Sequence, residues 1–420
     1  YVPTFSEQVG TQLSTAHRAS KHDVVRFESA WPTVVVRPFQ NLTGKPDMDF
    51  MAIGMATELA TEITRFQDIR VLIHRPESHR QRAEDIGARF AIDGSIREDS
   101  TGIKVTIQLI DLATHTQIWV DTNESEFRAD RVIAFQEDVA RVIAVKICGE
   151  YGVIARQMSI ESKNIPPSDL KTYEAILCYY AFNASFSKVT FFKALQALEQ
   201  AIVKEPEKGI VWSMLARLYA TNHSLELFDA DTPLDKAEAF AEKGVELDPA
   251  NQRARVIMSY VLLLKNDLPY GLAEATRAIS LNPNSLIMMA ELGYLLTLLG
   301  DWKRGPALIR KAILNNPYYD VTVHNALWLD WMHRRDYENA YAETLNSRTP
   351  LLFWDPLIKA VSLSLLGRLN EGRKAVDDLL KLKPDFSTRG RILIKHYIKF
   401  DDIIDQMVEV LKKVGLNIEK

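Results

Sequence analysis

Trp212-Ser-Met-Leu215-Ala216-Arg-Leu-Tyr219 is followed by a train of prolines that fixes how the chain is built. Pro249, Pro283, Pro317, Pro350 and Pro384 recur at near-equal spacing, and Pro206 leads them by a longer interval. A short polar tag precedes several of them, as in Glu205-Pro206, Asp248-Pro249, Asn282-Pro283 and Asn316-Pro317. A fixed period of this kind is the mark of a stacked array, in which each two-helix unit buries its apolar stripe against its neighbours. Proline closes the second helix because it cannot donate the next backbone hydrogen bond. Small residues at Ala216, Gly293, Ala326 and Ala360 let paired helices approach closely. The longer first interval predicts an insertion, placed at Asn222–Pro233.

With Trp212-x-x-Leu215-Ala216-x-x-Tyr219, Leu292-Gly293 and Ala307 to Ala312 on its helices, residues 167–384 resemble the tetratricopeptide (TPR) repeat. The resemblance implies an all-α right-handed superhelix of about six repeats, here with a C-terminal cap helix at about 401–414.

Working toward the N-terminus, residues 1–31 are polar and mixed and read as a linker or arm, with Pro32 marking the boundary. Thr33–Arg37 is a β-branched strand run, and Ile53, Ala56, Leu59, Ala60 and Ile63 mark one face of a helix over about 49–65. A strand at Ile69–Ile73, a charged helix at 78–87 and a strand at Phe90–Arg97 follow. Ile103, Val105, Ile107 and Leu109 alternate with polar residues, and the turn Ala113-Thr114-His115 leads to Gln117–Glu126. Val132, Phe135, Val139, Ile143 and Ile147 stripe one helix over about 130–157. The order is βαβαβββα, an α/β layer.

Val36-x-Pro38-Phe39-x-Asn41-x-x-Gly44, Asp93-Gly94-Ser95-Ile96-Arg97, Val105–Asp111 and Ile118-Trp119 make residues 33–155 similar to the TolB amino-terminal-like domain. That family occurs in bacteria ahead of TPR arrays, and in its relatives the pair follows a class III adenylate cyclase or a winged-helix regulator domain, often with a membrane span between. The expected organisation is an arm at 1–31, a TolB-like domain at 32–160 and a TPR array at 161–420. The chain begins at Tyr1 rather than Met and is expected to be a fragment or processed product. Its compartment would be periplasmic if a span lies upstream and cytoplasmic otherwise.

Lys+Arg 51 against Asp+Glu 55 gives a net charge of −4, which does not favour nucleic acid through bulk electrostatics. No run of about 18 apolar residues exists, so no membrane span is expected. Cys148 and Cys178 sit in helical apolar contexts and read as buried free thiols, with a disulfide between them as the alternative. No CxxC, HExxH or other metal spacing occurs, so neither a metal nor a cofactor is expected. Asn41, Asn123, Asn183 and Asn222 lie in N-x-[ST] triplets, which carry little weight.

For chemistry, the Pro38–Gly44 loop reads as a turn; as the alternative, Asn41, Thr43, Gly44 and Lys45 would hold a small ligand. His74-Arg75 with His79-Arg80 read as a solvated basic rim, Asp93 beside Gly94 as a backbone bend, and His333-Arg334-Arg335 as cations at a helix end. No nucleophile, base and orienter assemble locally, and no enzyme is expected. The repeat register places Val256, Tyr260, Leu263 and Leu264, then Ile287, Ala290, Tyr294 and Leu298, on the concave face. Val323, Leu327, Asp330 and Trp331 follow, then Trp354, Leu357, Val361 and Leu365. Partner contact is expected from Tyr260, Tyr294, Leu327, Asp330, Trp331 and Trp354. So long an apolar face admits three accounts: it takes a peptide, it is covered by a second copy (a homodimer) or by the N-terminal arm, or these side chains are ordinary core. The expected function is a non-enzymatic regulatory module that binds a protein or peptide there and signals to an upstream output domain. The alternative is small-molecule sensing by the α/β domain.

Overall fold

The computed structural model describes residues 31–66, 68–72, 87–99, 102–125, 131–283, 285–316 and 319–419. The N-terminal arm, the charged helix at 78–87, His74, Arg75, His79, Arg80 and Pro317 were expectations that fall outside them, Trp31 and Gly87 excepted. The chain divides into two compact units, one ending at Ala197 and the other starting at Leu198.

The first unit carries a mixed sheet. Its described elements are β1 (Thr33–Val36), β2 (Gln40–Asn41), α1 (Asp49–Thr64), β3 (Arg70–Leu72), β4 (Phe90–Asp99), β5 (Gly102–Asp111), β6 (Thr116–Ser125), α2 (Val132–Cys148) and α3 (Val153–Ser162). Strand order is β3-β1-β4-β5-β6, and β2 also pairs with β4. β1 runs parallel to β3 and β4, whereas β4, β5 and β6 form an antiparallel meander that needs only tight turns. Val105, Ile107 and Leu109 of β5 are buried among Met55, Leu59, Ile63, Ala140 and Ile143, so the main core lies between the sheet and α1 with α2.

Three local expectations change. The buried face of α1 is Met51, Ala52, Met55, Leu59 and Ile63, while Ile53 is 64% exposed. Both stripes fit a helical period, and the flexible methionines fill the core on the one that is used. The single helix over 130–157 is two, broken at Gly149-Glu-Tyr-Gly152, where a Cβ on Gly152 would stand 2.7 Å from the Ile147 carbonyl. Gly94 marks no bend. β4 pairs with β5 along its whole length, and the Phe39 ring occupies the space that a Cβ on Gly94 would need.

Arg89, just before β4, is buried and grips the fully buried Asp111 carboxylate with Nε at 3.1 Å and Nη2 at 2.9 Å. Nη2 also reaches Glu161 of α3 at 2.7 Å, which ties α3 to the end of the sheet. α4 (Thr172–Ser185) belongs to the same unit: Tyr180 donates to Asp68 at 3.2 Å and Asn183 to the Tyr151 hydroxyl at 2.7 Å. The expected boundary at 160/161 falls inside α3, and the compact unit runs on into α5 (Lys188–Lys204). Cys148 and Cys178 are free and buried; burial pushes both thiols up, Cys178 to about 11.

The second unit is helical: α6 (Gly209–Leu225), α7 (Leu234–Leu247), α8 (Gln252–Leu264), α9 (Leu268–Leu281), α10 (Leu286–Leu298), α11 (Arg304–Asn315), α12 (Val323–His333), α13 (Tyr337–Thr344), α14 (Trp354–Leu365), α15 (Leu369–Leu382), α16 (Phe386–Tyr397) and α17 (Asp401–Lys413). Consecutive helices pair, and α6, α8, α10, α12 and α14 pack in turn to form a first-helix layer. Asn251 and Ser285 cap α8 and α10 by accepting from Ala254 N and Met288 N. Gly293 and Gly305 let α10 and α11 touch backbone to backbone, since a Cβ on Gly305 would meet Thr297 N at 2.6 Å. The insertion is real but shorter as a loop. Residues 222–225 extend α6, and the Asn222 amide organises the rest by accepting from Phe228 N at 3.0 Å and donating to Thr232 at 2.9 Å. Beyond Pro384 stand two helices, α16 and α17, where a single cap helix was expected.

Candidate partner-binding face

The first-helix layer carries all six residues expected to meet a partner, but not as an open groove. Tyr260 is 3% exposed, Leu327 2%, Asp330 0% and Trp354 6%, whereas Tyr294 and Trp331 are only half-buried. The cover over Tyr260 and Trp354 comes from α16, which packs on α6 and α8. Tyr397, at its last turn, packs edge-on against Trp354 with ring centroids 5.4 Å apart. Its hydroxyl shares hydrogen bonds with Ser224 at 2.7 Å and Tyr260 at 3.0 Å, and Ser224 and Tyr260 close the triangle at 3.0 Å. A second copy and the N-terminal arm were the expected covers; the chain's own last helices provide this one. Burial pushes the phenols of Tyr294 and Tyr397 well above their ordinary range.

Ion pairs bind the same seam from outside. Glu226, which follows α6 in a left-handed conformation, accepts from Lys383 at 3.2 Å and from Arg389. Burial alone would raise the Glu226 carboxyl, but these two cations outweigh it and hold it below its usual range.

The layer is also less apolar than its expected register. Arg217 lays its guanidinium 4.0 Å from the centre of the Tyr260 ring and reaches Glu291 at 2.8 Å. Arg217 precedes Tyr260 by the same interval that separates Pro206 from Pro249, and Tyr294 follows Tyr260 as Pro283 follows Pro249. One repeat position therefore reads Arg217, Tyr260, Tyr294, a signal visible in the sequence once the long interval is carried into the register. Ser224 and Tyr397 had no such signal. At α12, Arg310 and Arg334 each stand 5.3 Å from the Trp331 ring centre, and both arginines pair with the buried Asp330. The Trp331 indole donates to Glu343 at 3.3 Å. Trp354 Nε1 is buried with no hydrogen-bond partner among the described residues.

The loop of the first unit closes on itself. Asn41 donates to Lys45 O at 2.8 Å and Asp49 at 2.7 Å and accepts from Thr43 N at 3.0 Å, while Lys45 pairs with Glu98 at 2.8 Å. Gly44, at φ 76°, supplies the left-handed residue the turn requires. The polar groups of Asn41 and Thr43 thus serve the turn, while the Lys45 ammonium pairs with Glu98 of β4. His333 stacks on Trp302 with ring centroids 4.1 Å apart. Among the described residues no group of three His, Cys, Asp or Glu side chains could hold a metal ion, and no helix is long and apolar enough to cross a membrane.

No protein-family model matches the chain. A protein of Rhizobium meliloti (strain 1021) named "Putative adenylate cyclase 3" is 22% identical over 247 residues, which is 56% of this chain and 40% of that protein. The chain thus spans less than half the length of this relative. Human IFIT1, in a dimer with m7Gppp-AAAA, is similar over 70% of this chain and 71% of its own at 12% identity and a TM-score of 0.45. YrrB, described as a TPR protein with an unusual peptide-binding site, matches 49% of this chain and 100% of its own at 17% identity and a TM-score of 0.29. TolB from Acinetobacter baumannii matches 27% of this chain and 28% of its own at 17% identity and a TM-score of 0.20. The chain is a mixed-sheet unit followed by an array of paired helical repeats.

Proposed function

We propose that the chain is a non-enzymatic regulatory module that binds a protein or peptide partner on its first-helix layer and passes that occupancy to an output domain. TPR-like repeats support a partner-binding role. The observation that carries the reading is the pair Tyr294 and Trp331. They sit on neighbouring first helices and keep exposed surface, while the arginines beside Trp331 hold its ring in place. A rigid aromatic that is already partly packed loses little freedom on binding, and covering the surface it still exposes contributes up to about 1 kcal/mol. The output step draws on the cyclase-named relative, of which the match covers 40%. A cyclase domain is the class of output this suggests.

The test is selection from a displayed peptide library against the whole chain. Selected peptides should bind Tyr294→Ala and Trp331→Ala several-fold more weakly, a loss of about 1 kcal/mol. Unchanged affinity for both variants overturns the reading.

A further inference from the structure

The seam between α6 and α16 joins two parts of the chain far apart in sequence, and a pair of imidazoles sits in it. His223, in the last turn of α6, and His396, in the last turn of α16, meet edge to face with ring centroids 5.4 Å apart and planes at 72°. The charged groups around them come from every neighbouring element. Glu226 follows α6, Asp235 opens α7, Lys383 follows α15, Arg389 lies on α16 and Lys399 stands just beyond it. Neither carboxylate is free to take a new charge: Glu226 already accepts from Lys383 and Arg389, and Asp235 from Lys265 at 2.8 Å. The Lys399 ammonium adds positive charge while donating to Lys395 O at 2.6 Å.

We propose that this seam is a pH-sensitive clasp: protonating the His223–His396 pair drives α16 off α6 and α8 and uncovers Tyr260 and Trp354. The clasp stands on the seam's geometry; only its use, to expose more of a partner-binding layer, rests on the reading above. Burial, reinforced by His223, Lys399 and Arg389 against Glu226, holds His396 down at about 4. Burial also lowers His223, against the pull of Glu226 and Asp235. An opened seam would release both rings toward the ordinary value of 6.5, so below that pH the open state takes up protons the closed state refuses. The clasp is therefore complete above about pH 7 and weakens as pH falls from 6.5 toward 4.

Hydrogen exchange of the whole chain at pH 7.5 and pH 5, corrected for intrinsic exchange chemistry, tests this directly. Protection of the α16 amides should fall about ten-fold at the lower pH, while β4, β5 and α10 hold theirs. His223→Gln with His396→Gln should abolish the difference. Equal α16 protection at the two pH values overturns the proposal, and so does a pH loss that survives in the double variant. If the double variant does not fold, His396→Gln alone must remove most of the difference. A clasp that opens with no gain in binding of the selected peptides would sink the partner-binding use and leave the clasp standing.

Discussion

The sheet unit and the repeat unit are each stabilised in their own way, and the two ways are opposite. In the first, the β4–β5–β6 meander is supplemented by contacts between distant residues: Arg89 on Asp111 and Glu161, Phe39 over Gly94, and Gln136 donating to Met51 O at 3.0 Å. In the second, most contacts run between a helix and the next one or two, which makes stability a sum over neighbours. Longer returns break this pattern: α16 comes back to α6, where Tyr397 and Ser224 lie 173 residues apart, and Phe400 packs on Trp302 with ring centroids 4.8 Å apart. These returns give a largely local array a long-range closure. Damage in the sheet unit should thus be global to that unit. In the repeats it should stay local unless it touches the closure.

The largest expected effect is at Arg89. Arg89→Met keeps most of the volume but leaves the fully buried Asp111 carboxylate without its charged partner, a change worth about 3–5 kcal/mol. The urea midpoint of the transition that melts β4 and β5 should drop accordingly, with α10 and α11 unmoved. A loss below about 1 kcal/mol would mean that water or a rearranged cation compensates the acid, and that the unit does not hang on this pair.

Next comes Gly305→Ala, the local counterpart in the array. The added Cβ would collide with Thr297 Oγ1 and stand 2.6 Å from Thr297 N, so α10 and α11 must part. About 1–3 kcal/mol is the expected cost, confined in hydrogen exchange to these helices and their immediate neighbours. Exchange that rises equally in α6 would show the array to be one cooperative block.

Much of this contrast is legible in the residues alone. Proline spacing exposes the repeats because a helix-ending residue is tied to its position by backbone chemistry, independent of packing. The strand alternation of β5 is equally plain. What a sequence pattern cannot carry is choice among equivalent options. Ile53 and Met55 both fit a helical stripe, and only the packed sheet selects Met55. Gly149 and Gly152 do mark the break between α2 and α3, but the long apolar stripe running across them hides that signal. At the candidate face, Tyr260 and Trp354 fall on the expected layer, yet no local rule tells that a helix far along the chain will cover Tyr260. Arg217 is readable from the long first interval, and its charge conceals it from any search for an apolar face.

The smallest change is the sharpest probe of the closure. Tyr397→Phe removes one hydroxyl from the triangle with Ser224 and Tyr260 and leaves the ring against Trp354 untouched. Ser224 and Tyr260 can still bond each other at 3.0 Å, so neither is orphaned, and the expected cost is about 1 kcal/mol. Because that loss falls on a contact between distant parts of the chain, it should speed exchange in α16 and in the turns it covers on α8, and leave α12 and α14 as they were. A change confined to α16 would mean that this helix rides on the layer without bracing it. A change reaching α6 and α8 together would make the triangle a brace, and would tie the order of the first-helix layer to whatever holds α16 in place.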